Sequence, residues 1–295
     1  MLSNATTAPS AYAQRPDPFL TVRVHLPDLR PTARGLCTGY DRTGWRNAEL
    51  ADYLFEYLPD FALRYEELGP KGHELWVPKL REAAKSVYTT DKFKRRGEFG
   101  ELLLHAVVRE LWETEPAVSK LYYKDGPNET VKGFDAVHVV LAHDAPLELL
   151  LGEVKFYTSI DNAMTDVAKE LGDHFDNDAW LRSEFIAVTR KIDDGWPHGA
   201  ELRELLHRRR TIADILGRVR VPVLLTYESP SVDKHGACHE EYCAELTAEI
   251  TDLQTRFAGR NLPADVTIDL LLVPLERKAD LIKALETRLK AWQLI

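Results

Sequence analysis

The sequence predicts an α/β layered domain with a mixed central sheet flanked by helices and an N-terminal extension. Three observations lead there. Apolar periodicity between residues 97 and 189 reads as helix, three strands, helix, strand. From residue 199 onward helices and strands of similar length keep alternating, the pattern of layered α/β architecture. A loop of hairpin length over residues 142–146 makes the second and third strands neighbouring and antiparallel.

The 295 residues are 44% hydrophobic and 29% charged, ordinary proportions for a globular chain. No apolar run approaches the ~20 residues that span a bilayer, and the first residues lack both the basic start and the apolar stretch of a secretory signal. No membrane association and a cytoplasmic location are therefore expected. Cys37, Cys238 and Cys243 are too few and too scattered for a disulfide framework. The nearby His235 and His239 lack the tight four-ligand spacing of structural zinc. A net charge of -9 argues against a protein that coats nucleic acid unaided, because such affinity needs local positive surface. Lys92, Lys94, Arg95 and Arg96 supply one basic cluster and are the candidate nucleic-acid contacts; Arg208, Arg209 and Arg210 read as a solvated helix end.

Residues 1–18, rich in Ala, Ser, Thr and Pro, read as a flexible tail. Residues 19–90 form the N-terminal segment: a strand over 19–26, a helical stretch over 45–68 interrupted at Pro59, and a helix over 75–87. Residues 91–295 form the α/β domain. Its first helix runs from about Gly97 to Glu113 on a stripe of Leu103, Leu104, Val107, Val108 and Leu111. Strands are expected over 117–124, 131–141 and 147–157, then a helix over 161–175 and a short buried strand over 185–189. Helices over 199–216, 239–257 and 278–291 bracket strands over 219–227 and 266–273, which extend the same sheet.

The chemistry concentrates between residues 95 and 155. On the third strand Glu153 and Lys155 project to one face, with Val154 opposite. Asp135 opens the adjacent antiparallel strand and is brought near Glu153. Two carboxylates at a sheet edge suit a hard cation such as Mg2+ or Mn2+, which lowers the pKa of a bound water and offsets charge on a phosphate. The first helix offers Glu101, at the border of its apolar stripe, and Glu98, further toward solvent. Glu101 is the first candidate for the metal and Glu98 the second. Glu-x-Lys by itself is a weak signal, and a cross-strand ion pair would explain it at little energetic gain. Yet Glu153 interrupts the run Leu149-Leu150-Leu151 of an otherwise buried strand, where an unpartnered charge is costly. A second copy, Glu276-Arg277-Lys278, follows Pro274 and is read as surface. Among the histidines only His105, one turn after Glu101, lies near the candidate site; His138, His143 and His174 read as packed or surface residues.

Asp135, Glu153-Val154-Lys155 and the acidic helix residue, Glu101 or Glu98, resemble the PD-(D/E)XK nuclease superfamily, whose restriction-endonuclease-like core is a helix, three strands, a helix and a strand. Phe134 stands where that superfamily usually has Pro. Asp166 and Lys169 are possible equivalents of its polar residue on the second helix, but both lie opposite the apolar stripe. More narrowly, Arg96-Gly97-Glu98-Phe99-Gly100-Glu101, Gly133-Phe134-Asp135, Gly152-Glu153-Val154-Lys155 and residues 223–229 look like the HamA family of Hachiman anti-phage defence. That resemblance implies a Mg2+-dependent DNase whose catalytic set is Glu101, Glu98, Asp135, Glu153 and Lys155, and a helicase partner of the HamB type. Two other readings compete: a nuclease of restriction or repair, and a nuclease-like scaffold that only binds. No helix-turn-helix or zinc-finger signature supports a self-sufficient restriction enzyme.

Overall fold

The computed structural model describes residues 10–12, 15–42, 44–69, 73–87, 97–119, 133–141 and 146–295. The chain opens with strands β1 (Thr21–Leu26), β2 (Thr32–Cys37), β3 (Tyr40–Asp41) and β4 (Gly44–Trp45). Helices α1 (Asn47–Glu56), α2 (Leu58–Ala62), α3 (Tyr65–Leu68) and α4 (His73–Ser86) follow. Next come α5 (Gly97–Trp112), β5 (Glu115–Pro116), β6 (Ala136–Val140), β7 (Glu148–Phe156) and α6 (Ile160–Phe175). Three helices, α7 (Asp178–Lys191), α8 (Gly199–Leu205) and α9 (Ile212–Leu216), precede β8 (Val219–Glu228). The chain closes with α10 (Pro230–Lys234), α11 (Glu240–Ala258), β9 (Thr267–Leu275) and α12 (Lys278–Leu294).

Among the described residues seven strands form one mixed sheet in the order β1-β2-β9-β8-β7-β6-β5. Strands β7, β8, β9 and β2 run parallel, with antiparallel pairs at both edges. The central parallel strands β7, β8 and β9 are apolar almost throughout, as covering by helices on both faces requires.

Three expectations need correction. Residues 185–189 are not a strand but the middle of α7. Asn177 caps that helix by accepting the Trp180 amide at 3.0 Å. Leu181, Phe185 and Val188 are buried at helical spacing while Ile186 is 46% exposed, a period that so short a run does not reveal. The strand that pairs with β7 is therefore β8, reached after three helices. Residues 199–216 are two short helices rather than one; Thr211 caps the second in a reciprocal box with Asp214. Within the stretch read as a flexible tail, Tyr12 is instead buried, and its carbonyl accepts from Arg109 at 2.8 Å. Strand β2 adds to the sheet without having been expected. Of the strand read over 117–124, residues 120–124 lie outside the described part, and the chain pairs with β6 slightly earlier, at Glu115 and Pro116.

Candidate active site

Two glycines bring the first motif helix onto the third strand. A side-chain carbon on Gly100 of α5 would meet the Phe156 Cβ at 2.8 Å, and one on Gly152 of β7 would meet the Leu104 Cδ2 at 2.9 Å. Each glycine admits the other element's side chains, so Gly152, Val154 and Phe156 form the face of β7 that α5 covers. Glu153, Lys155 and Tyr157 consequently face the other way, toward α6.

The β6–β7 register pairs Ala136 with Gly152, which puts Asp135 opposite Glu153. The Asp135 amide donates to the Gly152 carbonyl at 2.8 Å, and its carboxylate accepts from the Val154 amide at 2.9 Å. Asp135 is thus fixed by the ladder it terminates. Glu153 is only 2% exposed and Lys155 9%. Across from them, α6 presents partners in matching order. Glu153 lies 3.4 Å from His174 Nδ1, Lys155 pairs with Glu170, and the Tyr157 hydroxyl donates to Asp166 at 2.9 Å. Two strand residues advance about 6.6 Å and four helix residues about 6 Å, so the two repeats stay in step over three rungs.

Electrostatics follow from this zipper. Burial works against the Lys155 ammonium, but the Glu170 bond, with Asp135 and Glu153 behind it, raises its pKa above the ordinary lysine value. Lys155 is therefore a cation at neutral pH. Burial pushes His174 below the ordinary imidazole value despite Glu170 and Glu184 nearby, so it meets Glu153 as a neutral ring. Trp180 stacks on that ring at 3.9 Å and Phe134 packs edge-on at 5.3 Å. Phe134 thus helps to orient the histidine beside Glu153.

A cleft of about 730 Å³ opens at the C-terminal ends of β7, β8 and β9. This is where open α/β sheets most often receive ligands. Its charged lining is Glu101, Asp135, Lys155, Glu170, Glu228 and Lys278. Glu101 reaches it from the first turns of α5, whereas Glu98, half-buried, is not among the described cleft-lining residues. The candidate nucleic-acid contacts Lys92, Lys94, Arg95 and Arg96 lie outside the described residues.

These positions answer the sequence expectations unevenly. Asp135, Glu153, Lys155 and Glu101 are brought to one end of the sheet. Lys278, read as surface, instead lines the cleft. His105 is buried away from it, bonded to His138 at 3.2 Å. His174, set aside, contacts Glu153, and Glu170 was missed altogether, while Lys169 is exposed. The signal for both was present: spacing by four on a helix that follows a strand with charges spaced by two.

The HamA family model matches residues 16–289. The chain belongs to the HamA family. Membership associates this HamA chain with Hachiman anti-phage defence. No curated protein matches the sequence. The match takes in strands β1 and β2 as well as the cleft, so the HamA unit includes the N-terminal part of the sheet. In the described residues of this HamA chain, no helix is long and apolar enough to cross a membrane.

Proposed function

We propose that this HamA chain is a metal-dependent DNA endonuclease, the effector subunit of a Hachiman defence complex that works with a helicase. The observation that carries the reading is the pairing of Asp135 with Glu153 beside Lys155, at the mouth of a cleft that Glu101 enters from α5.

The donor set fits a hard divalent cation. Four carboxylates line the cleft against two lysines, an excess of two negative charges that one Mg2+ or Mn2+ offsets. Among the described residues no three His, Cys, Asp or Glu side chains converge as a ready cage. Mg2+ requires none, since it keeps several waters and takes one or two carboxylates. Asp135 and Glu101 are the cleft-facing oxygen donors that would hold it, with Glu153 directly behind Asp135. When bound, the cation supplies an activated water and neutralises charge on the phosphate.

The remaining work belongs to the chain. Lys155, held as an ammonium, stabilises the charge that builds on the scissile phosphate. Glu170 keeps that ammonium charged and oriented until the phosphate shares it. The neutral His174, clamped by Trp180 and Phe134, lies 3.4 Å from the Glu153 carboxylate and does not neutralise it.

The decisive experiment incubates the purified chain, alone and with its co-purifying helicase, with supercoiled and linear DNA in Mg2+. Cleavage that Glu153→Gln and Lys155→Met each abolish supports the reading. Undiminished cleavage by both variants, or none by the wild-type complex, overturns it. Recovery of a helicase from native cells tests the complex separately.

A further inference from the structure

The cleft holds a second lysine that the reaction just outlined does not use. Lys278 sits where β9 ends and α12 begins and, like Lys155, lines the cleft. Its stem packs on Phe156, the ammonium lying 4.6 Å from the ring centroid and donating to the Phe156 carbonyl. An ammonium carries three donors, and this carbonyl occupies one.

Among the described residues no carboxylate lies within ion-pair distance of the Lys278 ammonium. Glu228, the nearest acidic neighbour in the cleft lining, accepts from the Lys278 backbone amide at 3.0 Å. Arg277 is turned away to Asp233 at 2.9 Å. Lys155, by contrast, is engaged by Glu170. Burial pushes the Lys278 pKa down, with Glu228 opposing, as expected for a half-buried cation without a direct ion-pair partner. Ala279 and Ile282, which carry no charge, line the same cleft.

We infer that Lys278 is a second phosphate contact of the cleft, gripping a DNA-backbone phosphate next to the one that Lys155 serves. The inference rests on the nuclease reading and adds a substrate-holding role on a different element. An anionic backbone supplies what Lys278 lacks, a partner that approaches from the open cleft and satisfies its two remaining donors. The contact is sequence-independent, so it governs affinity and register rather than base choice.

The test uses Lys278→Met, which keeps the stem on Phe156 and removes the charge, and Lys278→Arg, which restores it. In Mg2+-dependent cleavage Lys278→Met should raise KM about tenfold with kcat little changed, as expected for a lost phosphate contact. Binding of a fluorescein-labelled DNA duplex is then measured by anisotropy in the Lys155→Met background, where the DNA stays intact. Adding Lys278→Met should flatten the slope of log K against log salt by about one, and Lys278→Arg should recover most of the affinity. Melting temperatures should stay level. Unchanged KM and salt slope overturn the inference. So does a loss shared equally by Met and Arg together with a lower melting temperature, which marks a packing role. If the wild-type chain binds DNA without cleaving it and Lys278→Met still flattens the slope, the nuclease reading falls and the phosphate contact stands. A chain that neither binds nor cleaves DNA removes both.

Discussion

The chain carries Glu-x-Lys twice, and the two copies differ in everything except spelling. In Glu153-Val154-Lys155 both charges lie inside a strand, on one face, and meet side chains of α6 in a matched register. In Glu276-Arg277-Lys278 the triplet straddles the end of β9 and the start of α12, so the two-residue strand period does not apply. Its lysine turns into the cleft while Glu276 makes no ion pair among the described residues. Spacing therefore reports a shared face only where the backbone is extended throughout. Elsewhere the topology decides, and here it sends two unrelated lysines to one cleft because parallel strands end together.

The sharpest break of the comparison is chemical. Glu153→Ala and Lys155→Ala should each lower Mg2+-dependent DNA cleavage by at least about a thousandfold, roughly 4 kcal/mol of transition-state stabilisation. Circular dichroism should show the fold retained. Residual activity within tenfold of wild type would reduce the strand copy to the same status as the other.

Acid should separate the cleft from the scaffold. His138 of β6 is fully buried, bonded to Thr114 at 2.8 Å and to His105. Burial, with Arg109 nearby, pushes its pKa down to about 3. A histidine with a depressed native pKa binds fewer protons folded than unfolded. Its contribution is thus complete above the unfolded value of ~6.5 and fades as pH falls toward 3. At about 1.4 kcal/mol per unit the loss amounts to on the order of a few kcal/mol. Chemical denaturation should show stability dropping across that window, and more shallowly in His138→Gln. Equal slopes would place the acid sensitivity elsewhere.

Glu170 tests whether the helix partner matters to the lysine it meets. Removing it in Glu170→Ala should lower kcat about tenfold, near 1.4 kcal/mol, because Lys155 loses orientation and part of its charge. Since Glu170 raises the Lys155 pKa, the alkaline limb of the rate profile should move to lower pH. Glu170→Gln should retain orientation yet still show that movement. A kcat loss with an unmoved alkaline limb would indicate packing alone.

What could be read from residues alone follows the same physics. The helical stripe of α5, the β6–β7 hairpin and the late alternation are local periodicities, and Asp135, Glu153, Lys155 and Glu101 came with them. Residues 185–189 misled because a short, mostly apolar run fits either a strand or a helix. Strand β2 escaped notice because Thr32–Cys37 contains Arg34 and Gly35 and lacks clean alternation. Glu170 and His174 required knowing that α6 folds back over β7. Lys278 required knowing that β9 lies beside β8, which no short-range pattern encodes.

The smallest expected effect completes the comparison. Glu276 shares its spacing with Glu153 yet is only half-buried and, among the described residues, accepts no hydrogen bond or ion pair. Replacing an unengaged surface charge changes stability by about 0.5 kcal/mol or less. Glu276→Ala should therefore leave the denaturation midpoint, KM and kcat close to wild type, whereas the same substitution at Glu153 is expected to lower cleavage at least about a thousandfold. The informative departure is a fall in KM: removing a carboxylate two residues from Lys278 would ease the approach of a phosphate if the two side chains share the cleft's field. An unmoved KM assigns that approach to Lys278 and Glu228 alone, whereas a large kcat loss would mean that the second triplet is as much a part of the reaction as the first.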